Sequence, residues 1–458
     1  MTAPPLLVDI EAPERELGAA AILLTGCAAL LIAMRQSFTV PFTGLGQSPA
    51  QLLALAAAAC WILTRLVGQR GVGGQRALRL VIGAQLVAAV ASYAAGMLLP
   101  HDSDQLTSAD RSLLIQCTLS LFALFVFEAL RTRRQIETVL QALVLAGALS
   151  AIFAILQSIA HVDLAASFRP PGLRVTESTL SSQLREGVLR PQGSAAHPLE
   201  LGAIMTALIP LGLGLTMSAR RQGRPPWLWV AATALIVGGA AVSLSRSAAV
   251  GVLAALVVMV PHWPIRRLAT VAAAVAAMAA AAFLSGSRVA SALFALFSSG
   301  SHDYSLESRA EGRSYVSANF AHHLLLGQGL GTYQIPRQPV LDNQYLDQLM
   351  ESGLIGLILL IAVLVTAFVL AIRAVGRQLD PAAAELASAI AGSLAAVLVT
   401  YAILDASGFV QISTLTWLLV GLSGAVWRLR EPVLAGGADQ QIKVDHVATQ
   451  GRVIQRAP

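Results

Sequence analysis

Runs of about 20 apolar residues recur along the whole chain, and they constrain its fold more than any other feature. A helix needs about 20 such residues to cross roughly 30 Å of hydrocarbon, and an ordinary soluble domain does not repeat runs of this length. We therefore expect an all-α polytopic membrane protein with about twelve transmembrane helices. The twelve runs lie at residues 17–34, 50–67, 80–99, 112–130, 138–160, 199–218, 227–244, 247–261, 268–286, 351–372, 383–404 and 411–427.

The composition excludes an ordinary soluble domain. Hydrophobic residues make up 56% of the chain and charged residues 12%, whereas about 25% of the residues in a soluble domain are charged. The cysteines, Cys27, Cys60 and Cys117, all fall within predicted spans. They form neither a disulfide framework nor a metal-binding CxxC pair, so we interpret them as packing residues.

Arginine decides the predicted orientation, because Lys443 is the only lysine in the chain. If residues 1–16 form a cytoplasmic tail, the short basic loops of a twelve-span domain at 17–430 all face the cytoplasm, as the positive-inside rule requires. Residues 431–458 are then a cytoplasmic tail, with a polar composition typical of disorder. We expect no nucleic-acid partner, because the chain lacks a basic soluble face.

Some arginines nevertheless fall on the predicted outer side. Arg190 lies in the loop 161–198, Arg309 and Arg313 lie in the large outer loop 287–350 between spans 9 and 10, and Arg246 lies at the outer end of a hairpin. Long loops translocate regardless of charge, so single arginines there can simply meet lipid headgroups. As a set they favour an anionic ligand such as a lipid diphosphate, since guanidinium groups hold phosphate oxygens bidentately.

Two segments next to these arginines have two readings each. RPQGSAAHPLELGAIM (190–205) predicts a helix that begins at Pro198, which places His197 at its cap as either a capping or a catalytic residue. GQGLGTY (327–333) follows a predicted helix over 305–326 whose apolar face suits a membrane surface. Its glycines permit an anion-binding backbone nest or an ordinary helix stop.

Asp342 also has two readings. It precedes a membrane helix and is a good N-cap residue, or it is a base that takes the proton from an attacking sugar hydroxyl. His322 and His323 are adjacent and would point about 100° apart on a helix, so they are poor joint ligands. We therefore expect no metal site. Charged residues are sparse within the spans, which argues against an ion-coupled transporter.

Five segments in order resemble the O-antigen ligase and O-antigen polymerase superfamily of membrane glycosyltransferases. RPQGSAAHPLELG resembles its R-x-x-G…N-P-x-x-L-A segment, with His197 at the asparagine, and LSRSA resembles its S-R-G/S-A turn, with Arg246 at the arginine. Arg309 aligns with an arginine about 18 residues before the glycine turn, Arg313 is the second choice, and LLLGQGLGTY resembles P-L-L-G-x-G-x-G-T-F. DNQYLDQLMESGLIGL resembles H-N-x-Y-L-x-x-L-x-E-x-G-L-I-G. The resemblance covers about 190–430.

This resemblance implies glycan transfer at the outer face of the cytoplasmic (inner) membrane. The donor would be a saccharide on a polyprenyl diphosphate, and the acceptor a lipid-linked glycan or another acceptor. Membrane lipids would be the remaining partners, with no cofactor and no metal. The chain would be a ligase or a polymerase of surface polysaccharide.

The resemblance also implies roles for single residues. Arg246 and Arg309 would neutralise the leaving diphosphate, and Arg190 and Arg313 are further candidates. Asp342 stands where the family carries a histidine thought to be the base, and Asn343 would position the acceptor. His197 or His323 could replace the missing histidine.

Two other functions stay open. A peptidoglycan polymerase of the shape–elongation–division type also has many spans and a large outer loop, but its acidic residue lies in another motif context, and GQGLGTY followed by DNQYL argues against it. A transporter or flippase predicts internal repeats, broken helices or buried charge pairs near the midplane of the membrane, none of which we expect from the sequence.

Overall fold

The computed structural model describes residues 17–41, 47–68, 76–167, 170–175, 184–185, 188–284, 304–335, 337–378 and 380–429, which are mostly α-helical. Single 3₁₀ turns lie at Val260–His262 and Phe320–His323. Two short antiparallel ladders pair β1 (Phe38–Thr39) with β2 (Arg174–Val175) and β3 (Leu184–Arg185) with β4 (Val188–Leu189). The helices are α1 (Ala19–Ala33), α2 (Pro49–Leu66), α3 (Arg76–Gly96), α4 (Ser103–Ala129), α5 (Arg133–Ala160), α6 (Leu164–Ser167), α7 (Pro198–Arg221), α8 (Trp227–Val242), α9 (Arg246–Met259), α10 (Ile265–Leu284), α11 (Tyr304–Asn319), α12 (Gln344–Val375), α13 (Pro381–Thr400) and α14 (Val410–Arg428).

The helical class is confirmed, and every one of the twelve apolar runs overlaps one of these helices. Among the described residues, eight helices are long and apolar enough to cross a membrane: α2, α3, α4, α5, α7, α12, α13 and α14. Helices α1, α8 and α9 are apolar but shorter. The count of twelve crossings and the outer position of the loop 287–350 stay predictions. The two tails lie outside the described residues.

Helix starts follow local capping chemistry. Ser48 accepts a hydrogen bond from the backbone N–H of Gln51, whose side chain in turn accepts from the backbone of Ser48. Asp102 and Gln105 form the same reciprocal pair at the start of α4. Because such capping boxes satisfy amides that the helix leaves open, they fix where each helix begins.

Helix α7 is the centre of the bundle and is buried along almost its whole length. It packs against α8, α9 and α13, and small residues permit the close approach. A Cβ on Gly214 would lie 2.3 Å from the Cβ of Ala389, and one on Gly251 would lie 2.5 Å from Thr206. Close backbone contact at small residues is how membrane helices pack without a hydrophobic driving force between them.

Helix α12 is broken at Gly353, where φ is 65° and ψ is −167°. The segment 324–331 fills the break: the N–H of Leu354 donates to Leu324 O at 2.9 Å, and the N–H of Gln328 donates to Met350 O at 2.9 Å. The expectation that no helix is broken is therefore wrong. Non-helical backbone at membrane depth is stable when protein groups take up its freed hydrogen bonds.

Helix α11 lies against the beginning of α12. Its residue Val316 is buried with Leu341 and Met350, and a Cβ on Gly312 would lie 2.8 Å from Val340 O. The buried side of α11 therefore covers protein, whereas Ala318, Ala321 and Leu325 of the predicted membrane-facing side are exposed. Contact of that side with the membrane surface stays a prediction.

Candidate functional site

Arg309 and Asp342 form an ion pair between two separate segments. Arg309 lies on α11, Asp342 immediately precedes the cap of α12, and Nε and Oδ2 are 3.6 Å apart. Both side chains are about a quarter exposed, at 24% and 25%. The Nη2 of Arg309 also donates to Ile403 O at 3.4 Å. The pair is thus half-buried and reachable from outside.

Asn343, and not Asp342, caps α12. Its Oδ1 accepts from the N–H groups of Tyr345 at 2.9 Å and Leu346 at 3.2 Å. Asp342 has a φ of 41°, a left-handed conformation that is uncommon for a residue with a side chain and is found at functional sites. The capping interpretation of Asp342 is therefore wrong. We call Arg309, Asp342 and Asn343 the loop group.

The turn between α13 and α14, residues 401–409, supports the loop group. The N–H of Gln344 donates to Tyr401 O at 2.8 Å, and the hydroxyl of Ser407 donates to Asp347 Oδ2 at 3.0 Å and to Asp405 Oδ1 at 2.7 Å. These bonds tie the turn to the first residues of α12.

Asp405 adds a second acidic group beside the loop group. The pKa of Asp405 is raised overall, and burial is the largest cause. Hydrogen bonds from Ser407 and Gly408 oppose this shift, and the nearby charge of Asp342 adds to it. The sequence signal was a lone carboxylate in a short turn between apolar spans, and it did not reveal the neighbours of that carboxylate.

Arg190 is held at the turn that leads into Arg246. Its Nε donates to Ser243 O at 3.2 Å, and Arg246 is the first residue of α9. Leu244, which lies between Ser243 and Arg246 in the sequence, has a φ of 49°, which makes the turn sharp. The structure therefore brings Arg190 to the hairpin of Arg246, although 55 positions separate the two residues by number.

His197 caps α7, and the cap determines which of its ring nitrogens can donate a hydrogen bond. Its Nδ1 accepts from the N–H of Leu199 at 3.1 Å. Burial, the larger cause, and the charge of Arg190 together lower the pKa of His197 to about 4. The neutral ring therefore carries its proton on Nε2 and is a donor, not a base. We call Arg190, His197 and Arg246 the hairpin group.

The 401–409 turn joins the two groups. The ring centroids of His197 and Phe409 are 5.8 Å apart, so the turn contacts the hairpin group at Phe409 and the loop group at Ile403. Buried Glu200 fixes this arrangement, because one of its oxygens accepts from the N–H groups of Gln411 and Ile412 in the first turn of α14. Its other oxygen accepts from the N–H of Ala196.

The remaining two predicted residues lie apart from these contacts. Arg313 is exposed one helical turn beyond Arg309. His323 lies four residues beyond Asn319, the last residue of α11, and Asn319 is itself about 15 Å along the helix axis from Arg309 at 1.5 Å per residue. It lines a pocket of about 210 Å³, to which the sequence pointed only through the histidine pair. Among the described residues no three His, Cys, Asp or Glu side chains are arranged to hold a metal ion.

Residues 231–361 match a protein-family model described as O-Antigen ligase. This segment contains Arg246 and the whole loop group, whereas Arg190 and His197 precede it. No curated protein matches the chain. Over this segment the chain is thus similar to O-antigen ligases, and the match together with the apolar helices supports a multi-pass membrane protein.

Proposed function

We propose that this chain, whose residues 231–361 match the O-antigen ligase family, transfers a saccharide from a polyprenyl-diphosphate donor to a lipid-linked glycan or another acceptor. The reaction takes place at the outer face of the cytoplasmic membrane, and both termini are cytoplasmic. The partners are the donor, the acceptor and membrane lipids, and no metal or other cofactor takes part. The product is a surface polysaccharide, formed by ligation or polymerisation.

The Arg309–Asp342 pair is the single observation that carries this proposal. A carboxylate that caps a helix has its oxygens occupied by backbone amides, but here Asn343 does the capping. Asp342 instead faces Arg309 at 3.6 Å and is about a quarter exposed. A half-buried carboxylate beside a guanidinium supplies both a proton acceptor and a positive charge.

In the proposed reaction, a hydroxyl oxygen of the acceptor attacks the anomeric carbon of the donor saccharide. A new glycosidic bond forms as the bond between that carbon and the diphosphate oxygen breaks. The hydroxyl proton passes to the carboxylate of Asp342, and the electron pair of the broken bond leaves with the diphosphate. Asn343, which caps α12 directly after Asp342, positions the acceptor hydroxyl.

Arginines supply the charge that the leaving diphosphate needs. Arg246 and Arg309 are the proposed main contacts, and Arg190 and exposed Arg313 assist them. His197 contributes a hydrogen bond from Nε2, because Nδ1 already serves the helix cap. Positioned donors that meet developing negative charge are among the largest contributions to enzymatic rate.

The test uses purified protein in nanodiscs with a polyprenyl-diphosphate-linked saccharide and an acceptor glycan, with and without EDTA. We expect Asp342→Asn and Arg309→Ala each to lower the transfer rate about 10²- to 10³-fold, and EDTA to leave the wild-type rate unchanged. Glu311→Gln and Arg111→Ala are matched controls, since both side chains are exposed and outside the two groups.

Wild-type rates in both site variants would overturn the assignment of the loop group. Movement of the donor across the bilayer without transfer would favour a flippase. The break in α12 does not favour that alternative, because protein backbone fills it, whereas transporters leave such ends open to the substrate.

A further inference from the structure

The pocket beyond the end of α11 has an apolar floor and a polar rim. Phe320, Tyr315 and buried Met350 form the floor. The rim consists of amide and imidazole groups, from Asn319, His322, His323 and Gln328. Among the described residues, the lining thus contains neither a carboxylate nor a guanidinium, in contrast to the loop and hairpin groups.

Hydrogen bonds hold several of these side chains in place. The side-chain amides of Gln328 and Gln338 donate to each other, at 3.3 and 3.1 Å. Gln338 also donates to the hydroxyl of Tyr315 at 3.1 Å, and Asn319 donates to Tyr315 O at 2.8 Å. A site whose groups are already held loses less entropy when a ligand binds.

The shape and chemistry of the pocket suit one sugar ring. Its volume of about 210 Å³ is below the roughly 300–1,000 Å³ of sites for drug-sized ligands. A pyranose has an apolar face of C–H groups that packs on aromatic rings and a rim of hydroxyls that bonds to amides and imidazoles. A diphosphate would instead require charged donors, which are not found among the described residues of the lining.

We propose that this pocket is a glycan subsite that binds one uncharged pyranose of the saccharide chain, away from the bond that reacts. The inference rests on the proposed glycosyl transfer. Asn319, at the rim, follows Arg309 by about 15 Å along α11, so the two sites engage different sugars of one chain. The subsite therefore selects the body of the glycan, and the loop group acts at its reactive end.

The experiment measures saturation-transfer NMR on the purified protein in nanodiscs. The probes are the methyl glycosides of glucose, galactose, N-acetylglucosamine and rhamnose. We expect a signal from at least one probe that falls about tenfold in Asn319→Ala and in the double variant His322→Ala/His323→Ala. The two histidines are exposed, so the double variant is expected to fold.

Two variants serve as controls. Ser317→Ala changes an exposed residue of the same helix outside the pocket, and it should leave the signal unchanged. Arg309→Ala should keep the sugar signal while it loses transfer. In the transfer assay, the pocket variants should raise the KM for the glycan about tenfold with little change in kcat.

The outcomes separate the two proposals. The subsite is overturned if no probe gives a signal, or if the pocket variants keep both the wild-type signal and the wild-type KM. In that case, a loss of transfer in Arg309→Ala would still support the proposed function. If Arg309→Ala and Asp342→Asn transfer at wild-type rates, the proposed function is contradicted. The NMR signal then shows by itself whether the pocket binds sugar.

Discussion

The loop group and the hairpin group both hold an arginine against a backbone carbonyl, yet they differ in what stands beside it. In the loop group, Arg309 faces the carboxylate of Asp342 at 3.6 Å. In the hairpin group, burial and then the charge of Arg190 lower the pKa of His197, whose Nδ1 is occupied by the helix cap. One group can accept a proton and the other can only donate hydrogen bonds. The comparison suggests that only the loop group accepts the proton, whereas arginines of both groups bind the diphosphate.

The two groups also rest on different supports. The loop group lies at the beginning of the broken helix α12, and the segment 324–331 fills the break. The hairpin group is connected to α14 through Glu200. Damage to either support should therefore affect its own group first, and variants can test this separation.

The largest expected effect separates proton transfer from diphosphate binding. Arg246→Ala and Asp342→Asn should each reduce transfer about 10²- to 10³-fold. Arg246→Ala should also weaken inhibition by inorganic diphosphate about tenfold or more, because a charge-assisted hydrogen bond is lost. Asp342→Asn should leave that inhibition intact. Equal loss of inhibition in both variants would contradict the division of roles.

The next effect concerns the support of the loop group. Gly327 has a φ of 73°, and a Cβ there would lie 2.2 Å from the backbone of Glu351. Gly327→Ala should therefore cost about 3–4 kcal/mol of unfolding free energy, from overpacking added to left-handed strain, measured by thermal unfolding in detergent.

Gly68→Ala is the matched control for this loss. Gly68 has a similar φ of 78°, but a Cβ there meets no described atom within 4 Å. Gly68→Ala should therefore lower the unfolding free energy only by the strain of the left-handed backbone, about 1–2 kcal/mol. Equal losses at both glycines would mean that the contact with the helix break carries no stability.

The hairpin group should respond to pH through His197. Its pKa falls from 6.5 to about 4 on folding, so between these values the unfolded chain binds a proton that the folded chain does not. Stability is therefore complete above pH 6.5 and falls by about 1.4 kcal/mol per pH unit down to about pH 4.

His197→Asn should flatten this part of the pH profile, because asparagine caps a helix without titrating. Thermal unfolding between pH 7 and pH 4 checks the prediction. His161→Asn is the control, since His161 is an exposed histidine and its replacement should leave the slope unchanged. An unchanged slope in His197→Asn would show that His197 is not the titrating group.

The smallest effect tests the cap of α12. Asn343→Ala removes the acceptor of two backbone amides and should cost about 1 kcal/mol of stability. Asn343→Ser should restore most of it, since serine is also a good N-cap. If Asp342→Asn destabilises the protein as much as Asn343→Ala, Asp342 also supports the helix.

Sequence reasoning succeeded where the signal was local. The apolar runs predicted the positions of the helices, including α8 and α9, which only residues 243–245 separate. It failed at Gly353, because SGLIG reads as continuous apolar helix and the segment that fills the break lies about 25 residues earlier. It also could not separate Asp342 from Asn343, since both residue types cap helices well.

The sequence by itself determined that the chain is helical and where its helices begin, because apolar length and capping act between residues within a few positions of each other. Only the tertiary structure decided which polar groups meet. Arg190 with Ser243, Glu200 with Gln411, and Arg309 with Asp342 each join distant parts of the chain. Such contacts depend on how the helices pack against one another, and packing is a property of the whole fold.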